Sequence, residues 1–139
     1  MIEIKTLEGF LNRIDQRILK IGLEEHSLQQ EAPSYKKDRK NWLIYDEDIL
    51  VGVLTADILW DWIYIDELWV DDSQRGKGLG KQLMNIAEEY DLSSNLSGLW
   101  LWTQSWQAAS FYEKLGFKEF TRFDDFPKGH QRIRLRKEV

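Results

Sequence analysis

The segment Val70-Asp71-Asp72-Ser73-Gln74-Arg75-Gly76-Lys77-Gly78-Leu79-Gly80-Lys81 has the residue types of an anion site. Three glycines alternate with other residues between an apolar strand and an amphipathic helix. Glycines leave backbone N–H groups bare and let a ligand come close. A helix start adds unpaired N–H donors and the positive end of the macrodipole. Arg75, Lys77 and Lys81 add positive charge to a chain whose net charge is −5. The spacing therefore points to a phosphate-bearing ligand.

Two common nucleotide motifs fail on spacing. A P-loop requires four residues between its first glycine and Gly-Lys-Ser/Thr. Here Gly80-Lys81 is followed by Gln82, which has no hydroxyl for a magnesium ion. A dinucleotide fingerprint is Gly-x-Gly-x-x-Gly after the first strand of its unit. This chain has Gly-x-Gly-x-Gly, late in the sequence. A bare tight turn would not call for three flanking basic side chains.

The surrounding pattern supplies a frame. Ile2 and Ile4 suggest a short edge strand, and Leu7 to Ile21 a helix capped by Thr6 and stopped at Gly22. Residues 23–40 read as a short second helix and a loop. Strands are expected at Trp42–Tyr45, Ile49–Leu59 and Trp62–Val70. Leu79, Leu83, Ile86, Ala87 and Tyr90 share one helical face. Leu99–Trp102 reads as a buried strand, and Ser105 as the cap of a helix carrying Ala108, Phe111, Tyr112 and Leu115. Phe117–Phe123 and Gln131–Lys137 close the sheet. This predicts an α/β (α+β) fold in a single domain, residues 1–139. Its mixed, mostly antiparallel sheet has six to seven strands and about four flanking helices, with a parallel crossover at 79–91.

Arg75-Gly76-Lys77-Gly78-Leu79-Gly80 fits Arg/Gln-x-x-Gly-x-Gly/Ala, and Ala108-Ala109-Ser110-Phe111-Tyr112-Glu113-Lys114-Leu115-Gly116-Phe117 fits Ala-x-x-Phe/Leu-Tyr-x-x-x-Gly-Phe. By these two motifs and the element order the chain resembles the GNAT superfamily of N-acetyltransferases, well over residues 42–123 and in element order alone over 1–41. The tail Asp125 to His130 resembles endings of bacterial members with no assigned substrate. The resemblance implies acetyl-CoA as co-substrate, no metal, and direct attack of an amine on the thioester in a ternary complex. It assigns the pyrophosphate to the backbone of Arg75, Gly76, Lys77, Gly78, Leu79 and Gly80, beside Lys81. It assigns the pantetheine arm to the backbone of Leu68, Trp69 and Val70, where a strand splays at a bulge. Ala108 and Ser105 stand at the cofactor end of the later helix, with Ser105 where the family often has Asn. Tyr112 matches the tyrosine that protonates the departing thiolate. Glu67, then Asp66, are candidate bases for the ammonium, with a water relay as the alternative. Alternation sends these two carboxylates to opposite faces, so the register set by a bulge decides which of them faces the pocket.

Composition narrows the partners. The chain has no Cys and two His, His26 and His130, too far apart in sequence to suggest a metal cluster. The acidic balance argues against nucleic acid. No apolar run approaches the roughly 20 residues of a membrane span, so a cytoplasmic location is expected. His130 reads as a loop residue near the acceptor end. Trp60, Trp62, Trp69, Trp100, Trp102 and Trp106 read as core, with those at strand ends free to wall an acceptor pocket. Edge strands leave room for a homodimer. The expected activity is acetyl transfer to a primary amine of a small molecule. The alternatives are a non-catalytic acyl-CoA-binding module and an acetyltransferase of protein N-termini or lysines.

Overall fold

The computed structural model describes residues 1–139. Its contacts divide the chain into two compact units, Met1–Tyr35 and Lys36–Val139.

The first unit contains one helix, α1, Arg13–Gln29. The expected strand at Ile2 and Ile4 does not form, since two alternating residues find no strand to pair with. The helix starts later than Thr6 because Asn12 is the residue that caps it, accepting from Asp15 N–H at 2.8 Å. Gly9 precedes it at φ 90°. The expected stop at Gly22 is also overturned: the glycine sits inside α1. A mid-helix glycine costs about 1 kcal/mol, less than the bonds gained by continuing, so the two expected helices are one.

The second unit is a six-stranded sheet in the order β1-β2-β3-β4-β6-β5. The strands are β1 Lys37–Asp46, β2 Ile49–Leu59, β3 Trp62–Val70, β4 Gly98–Gln104, β5 Lys118–Asp124 and β6 Gln131–Lys137. The helices are α2, Leu79–Ser93, and α3, Ala109–Lys114. Strand β1 begins earlier than expected because the long β2 recruits its polar residues, pairing Lys37 with Leu59 and Asn41 with Thr55. Between them Glu47 and Asp48 both have positive φ, as a tight hairpin requires.

All strand pairs are antiparallel except β3–β4, joined through α2. One face of the sheet carries Leu54, Ala56, Ile63, Leu99, Leu101 and Leu135, which pack with Leu83, Met84 and Ala87 of α2 into the core. Helix α3 adds Phe111, Tyr112 and Leu115 to the edge of that cluster. Trp62, Tyr64, Trp100, Trp102 and Gln104 alternate onto the opposite face. The tryptophan stripe is therefore outside the core: Trp60, Trp69 and Trp106 are exposed, and Trp62, Trp100 and Trp102 half-buried.

Two irregularities shape this sheet. Strands β3 and β4 pair only from Trp62–Gly98 to Tyr64–Trp100, then diverge, while β4 stays paired with β6 as far as Gln104–Arg132. The result is a wedge-shaped opening. Its closed end is Gly98, where an added Cβ would lie 2.5 Å from Lys137 O and 2.8 Å from Trp62 Cζ3. The second irregularity is a bulge in β3. Ala56 pairs with Ile65 but Thr55 pairs with Glu67, so Asp66 is the extra residue. It lies where β3 leaves β4.

Candidate active site

After β3 the chain makes a 3-10 turn, Asp72–Gln74, in which Asp71 accepts from Ser73 N–H at 3.1 Å. The Ser73 and Gln74 to Lys77 contacts hold the turn: Lys77 Nζ donates to Gln74 Oε1 at 3.2 Å. Arg75 Nε donates to Val70 O at 3.1 Å, and its Nη1 pairs with Asp72 at 2.7 Å. Gly76 and Gly78 then take φ of 78° and 79°, values open to glycine at little cost. Gly78 is the N-cap of α2 and offers no side chain to the helix start.

The first backbone bond of α2 is Gln82 N–H to Gly78 O, and no N–H from Gly76 to Lys81 donates to another group of the protein. These donors border a cleft of about 300 Å³ lined by Val70, Gln74, Arg75, Gly76, Gly78, Leu79, Gly80, Lys81 and Phe111. Successive bare amides at a positive dipole end suit a diphosphate. At Gly80 the backbone is helical, and a Cβ would make only ordinary contacts, 3.5 Å to Phe111 Cζ and 3.9 Å to Val70 Cγ2. Packing alone does not require glycine there.

Phe111 brings α3 beside this loop. The next residue, Tyr112, meets Phe111 and Phe117 edge-on, at centroid distances of 5.1 and 6.0 Å. Burial raises the Tyr112 phenol above its ordinary pKa of 10.0, and its hydroxyl has no hydrogen-bond partner in the protein. The helix begins at Ala109 with Ala108 as N-cap, so Ser105 is not the cap. It instead extends the β4–β6 ladder, Ser105 N–H donating to Gln131 O at 2.8 Å, and its Oγ lies 3.4 Å from His130 Nδ1. Gln107 Oε1 accepts from Gln104 N–H at 2.9 Å, and no side chain caps α3. Trp106 stacks edge-on with His130 at 4.9 Å.

The bulge changes the reading of the two carboxylates. Ile65 and Leu68 both contact the core, three positions apart, because the extra residue shifts the alternation. Asp66 and Glu67 fall between them and both are exposed, so they are not sorted to opposite faces. Asp66 is committed to Arg39 at 3.0 Å, and Arg39 also holds Asp57 at 3.1 Å. These two carboxylates raise the Arg39 pKa. Glu67 is tied only through its backbone, N–H to Thr55 Oγ1 at 3.1 Å, and its carboxylate has no partner. Leu68 is half-buried against the core, Trp69 is 43% exposed, and Val70 lines the cleft. Their strand lies along the open side of the wedge.

Sequence reasoning did not single out Arg39, Gln104 or Arg132. Arg132 stacks over Trp102 at 3.3 Å and over Phe126 at 4.4 Å. The alternation of Arg132, Arg134 and Arg136 was visible, and it places them on the tryptophan face. Which of them is stacked depends on strand register, which the sequence does not display. No helix is long and apolar enough to cross a membrane. No group of three or more His, Asp or Glu is placed to hold a metal.

Known proteins share this fold. Blasticidin-S acetyltransferase of Streptomyces morookaense is 35% identical over 81 residues, 58% of this chain and 60% of that protein. The chain thus matches less than two thirds of that relative's length. An acetyltransferase from Bacillus cereus ATCC 14579 superposes with a TM-score of 0.81 at 27% identity, covering 97% of this chain and 98% of the other. The PaiA N-acetyltransferase of Thermoplasma acidophilum, solved with coenzyme A, shares the fold with a TM-score of 0.63 at 19% identity, over 91% of this chain and 74% of its own. The model of the acetyltransferase (GNAT) family matches residues 11–117. With that match spanning most of its length, the chain belongs to the GNAT acetyltransferase family.

Proposed function

We propose that the chain is an acetyl-CoA-dependent N-acetyltransferase whose acceptor is a primary amine of a small molecule. The observation that carries the donor half is the run of unpaired N–H groups from Gly76 to Lys81 at the start of α2. The residues fit the cofactor: the loop would hold the pyrophosphate, with Arg75, Lys77 and Lys81 adding charge. The pantetheine arm would lie along Leu68 to Val70, whose strand edge has left β4, and add itself like a further strand. Ala108 and Ser105 flank the cofactor end of α3. When bound, acetyl-CoA supplies the activated acyl group.

The chain's own groups manage the protons. Glu67, with its carboxylate unpaired beside the bulge, takes the proton from the incoming ammonium, directly or through water. Asp66 is the weaker choice because its charge already serves Arg39. Tyr112 donates to the departing sulfur. Burial, by raising its pKa above 10.0, keeps that proton in place through the neutral range. The similarity to blasticidin-S acetyltransferase favours a small-molecule acceptor, and the fold is shared with a ribosomal-protein-S18-alanine N-acetyltransferase of Escherichia coli at 18% identity. We further assign the whole chain to one catalytic domain acting in the cytoplasm, with a homodimer as the assembly to test.

Thiol release from acetyl-CoA, measured against classes of amines, tests the reading. The expected result is turnover with at least one class, reduced about 100-fold or more in Tyr112→Phe. Coenzyme A binding with no acetyl transfer to any amine would instead favour a non-catalytic binding module.

A further inference from the structure

Gln104 and Arg132 are direct cross-strand partners at the open end of β4. Alternation places both on the tryptophan face, beyond Trp102. Each has a buried polar atom without a partner: Gln104 Oε1 and Arg132 Nε. They do not satisfy each other. The Gln104 amide is fixed, because its Nε2 donates to Phe126 O at 3.2 Å, and that leaves Oε1 as a spare acceptor. Gln104 itself is only 8% exposed.

Arg132 is stranded in a different way. Trp102 lies over its guanidinium at 3.3 Å and Phe126 at 4.4 Å. Aromatic rings engage the faces of the guanidinium and leave its N–H edge for a coplanar partner. No carboxylate within ion-pair distance takes that edge, although Arg39, Arg75 and Arg122 each have one. In a chain of net charge −5, an orphan arginine held in a stack beside an orphan acceptor is an incomplete recognition site.

We propose that this pair selects an acceptor carrying a carboxylate close to its amine, as an α-amino acid does. The Arg132 edge takes the carboxylate in a planar pair, and Gln104 Oε1 accepts an N–H of the same molecule. Trp102, stacked on the guanidinium, holds that edge in place. This assignment rests on the acetyltransferase reading and adds the class of acceptor to it.

The test uses matched pairs: α-amino acids and their carboxamides, assayed for binding by calorimetry and for thiol release with acetyl-CoA. The wild-type protein should prefer the acid over its amide by about tenfold or more in binding and in kcat/KM. Arg132→Gln should erase the preference while coenzyme A affinity stays unchanged. Arg132→Lys keeps the charge but not the planar edge, and should restore the preference only in part. Arg134→Gln, which removes an exposed charge from the same strand, should leave it intact. Equal treatment of acids and amides by the wild type, or an equal loss in Arg134→Gln, overturns the proposal. Discrimination in binding without thiol release from any amine would sink the enzymatic reading and leave the carboxylate site standing.

Discussion

The proposed donor and acceptor halves of the site are built in contrasting ways. The cleft proposed for the pyrophosphate draws on one stretch, Val70 to Lys81, closed by Phe111 from outside it. Its chemistry resides in the backbone, so its parts are glycines and a helix start. The acceptor half is assembled from side chains on separate strands: Asp66 and Glu67 on β3, Trp102 and Gln104 on β4, Arg132 on β6. It exists only when register and bulge are right. The lesson is that a backbone site is written locally, whereas a side-chain site is written in pairings between distant segments.

The largest expected effect tests the closed end of the wedge. Gly98→Ala puts a Cβ 2.5 Å from Lys137 O, where β3, β4 and β6 meet. Overpacking against backbone should cost about 3 kcal/mol, read as a lowered urea midpoint. Wild-type stability in this variant would mean that the closed end of the wedge is not fixed as described.

A somewhat smaller effect separates the two carboxylates. Glu67→Gln should lower kcat/KM about 100-fold with little change in melting temperature. Asp66→Asn should do the reverse: it loses an exposed pair with Arg39, lowers the melting temperature slightly, and keeps most activity. If the kinetic losses are exchanged, Asp66 is the base.

The smallest effect is a pH dependence outside both halves. Asp91, 1% exposed at the end of α2, has its pKa raised above 3.8, mainly by burial. Its folded form binds protons more tightly than the unfolded chain. Its contribution is therefore complete below the unfolded value and lost as pH rises through the higher folded value. In Asp91→Asn that falling component of stability above about pH 4 should vanish, as denaturant titrations across the acid range would show. An unchanged slope would mean that Asp91 is not the group responsible.

This division also explains how much the sequence revealed. The apolar runs of β2 and β3 and the face of α2 were visible because burial on the sheet sets their pattern. The glycine loop was visible because positive φ at Gly76 and Gly78 demands that residue. Helix α1 was misread because a local cap at Asn12 outweighed Thr6, and because continued hydrogen bonding outweighed the glycine at position 22. Ser105 was misread because its partner, Gln131, lies across the sheet. The exposure of both Asp66 and Glu67 was hidden for the same kind of reason: the bulge appears only once Thr55 is set against Glu67. Arg132 was one of three alternating arginines until register placed it on Trp102.

The donor site carries the account, and Gly80→Asp tests it with effects of opposite sign. Position 80 is in the first turn of α2, with space for a Cβ. A carboxylate there complements the helix dipole, so the fold should be as stable as wild type or up to about 1 kcal/mol more stable. The same charge should repel the pyrophosphate and occupy its cleft. Calorimetric titration with coenzyme A should find one site per chain in the wild type and at least a 100-fold loss of affinity in Gly80→Asp. Unchanged affinity in a folded Gly80→Asp protein would contradict the assignment of the glycine loop to the cofactor.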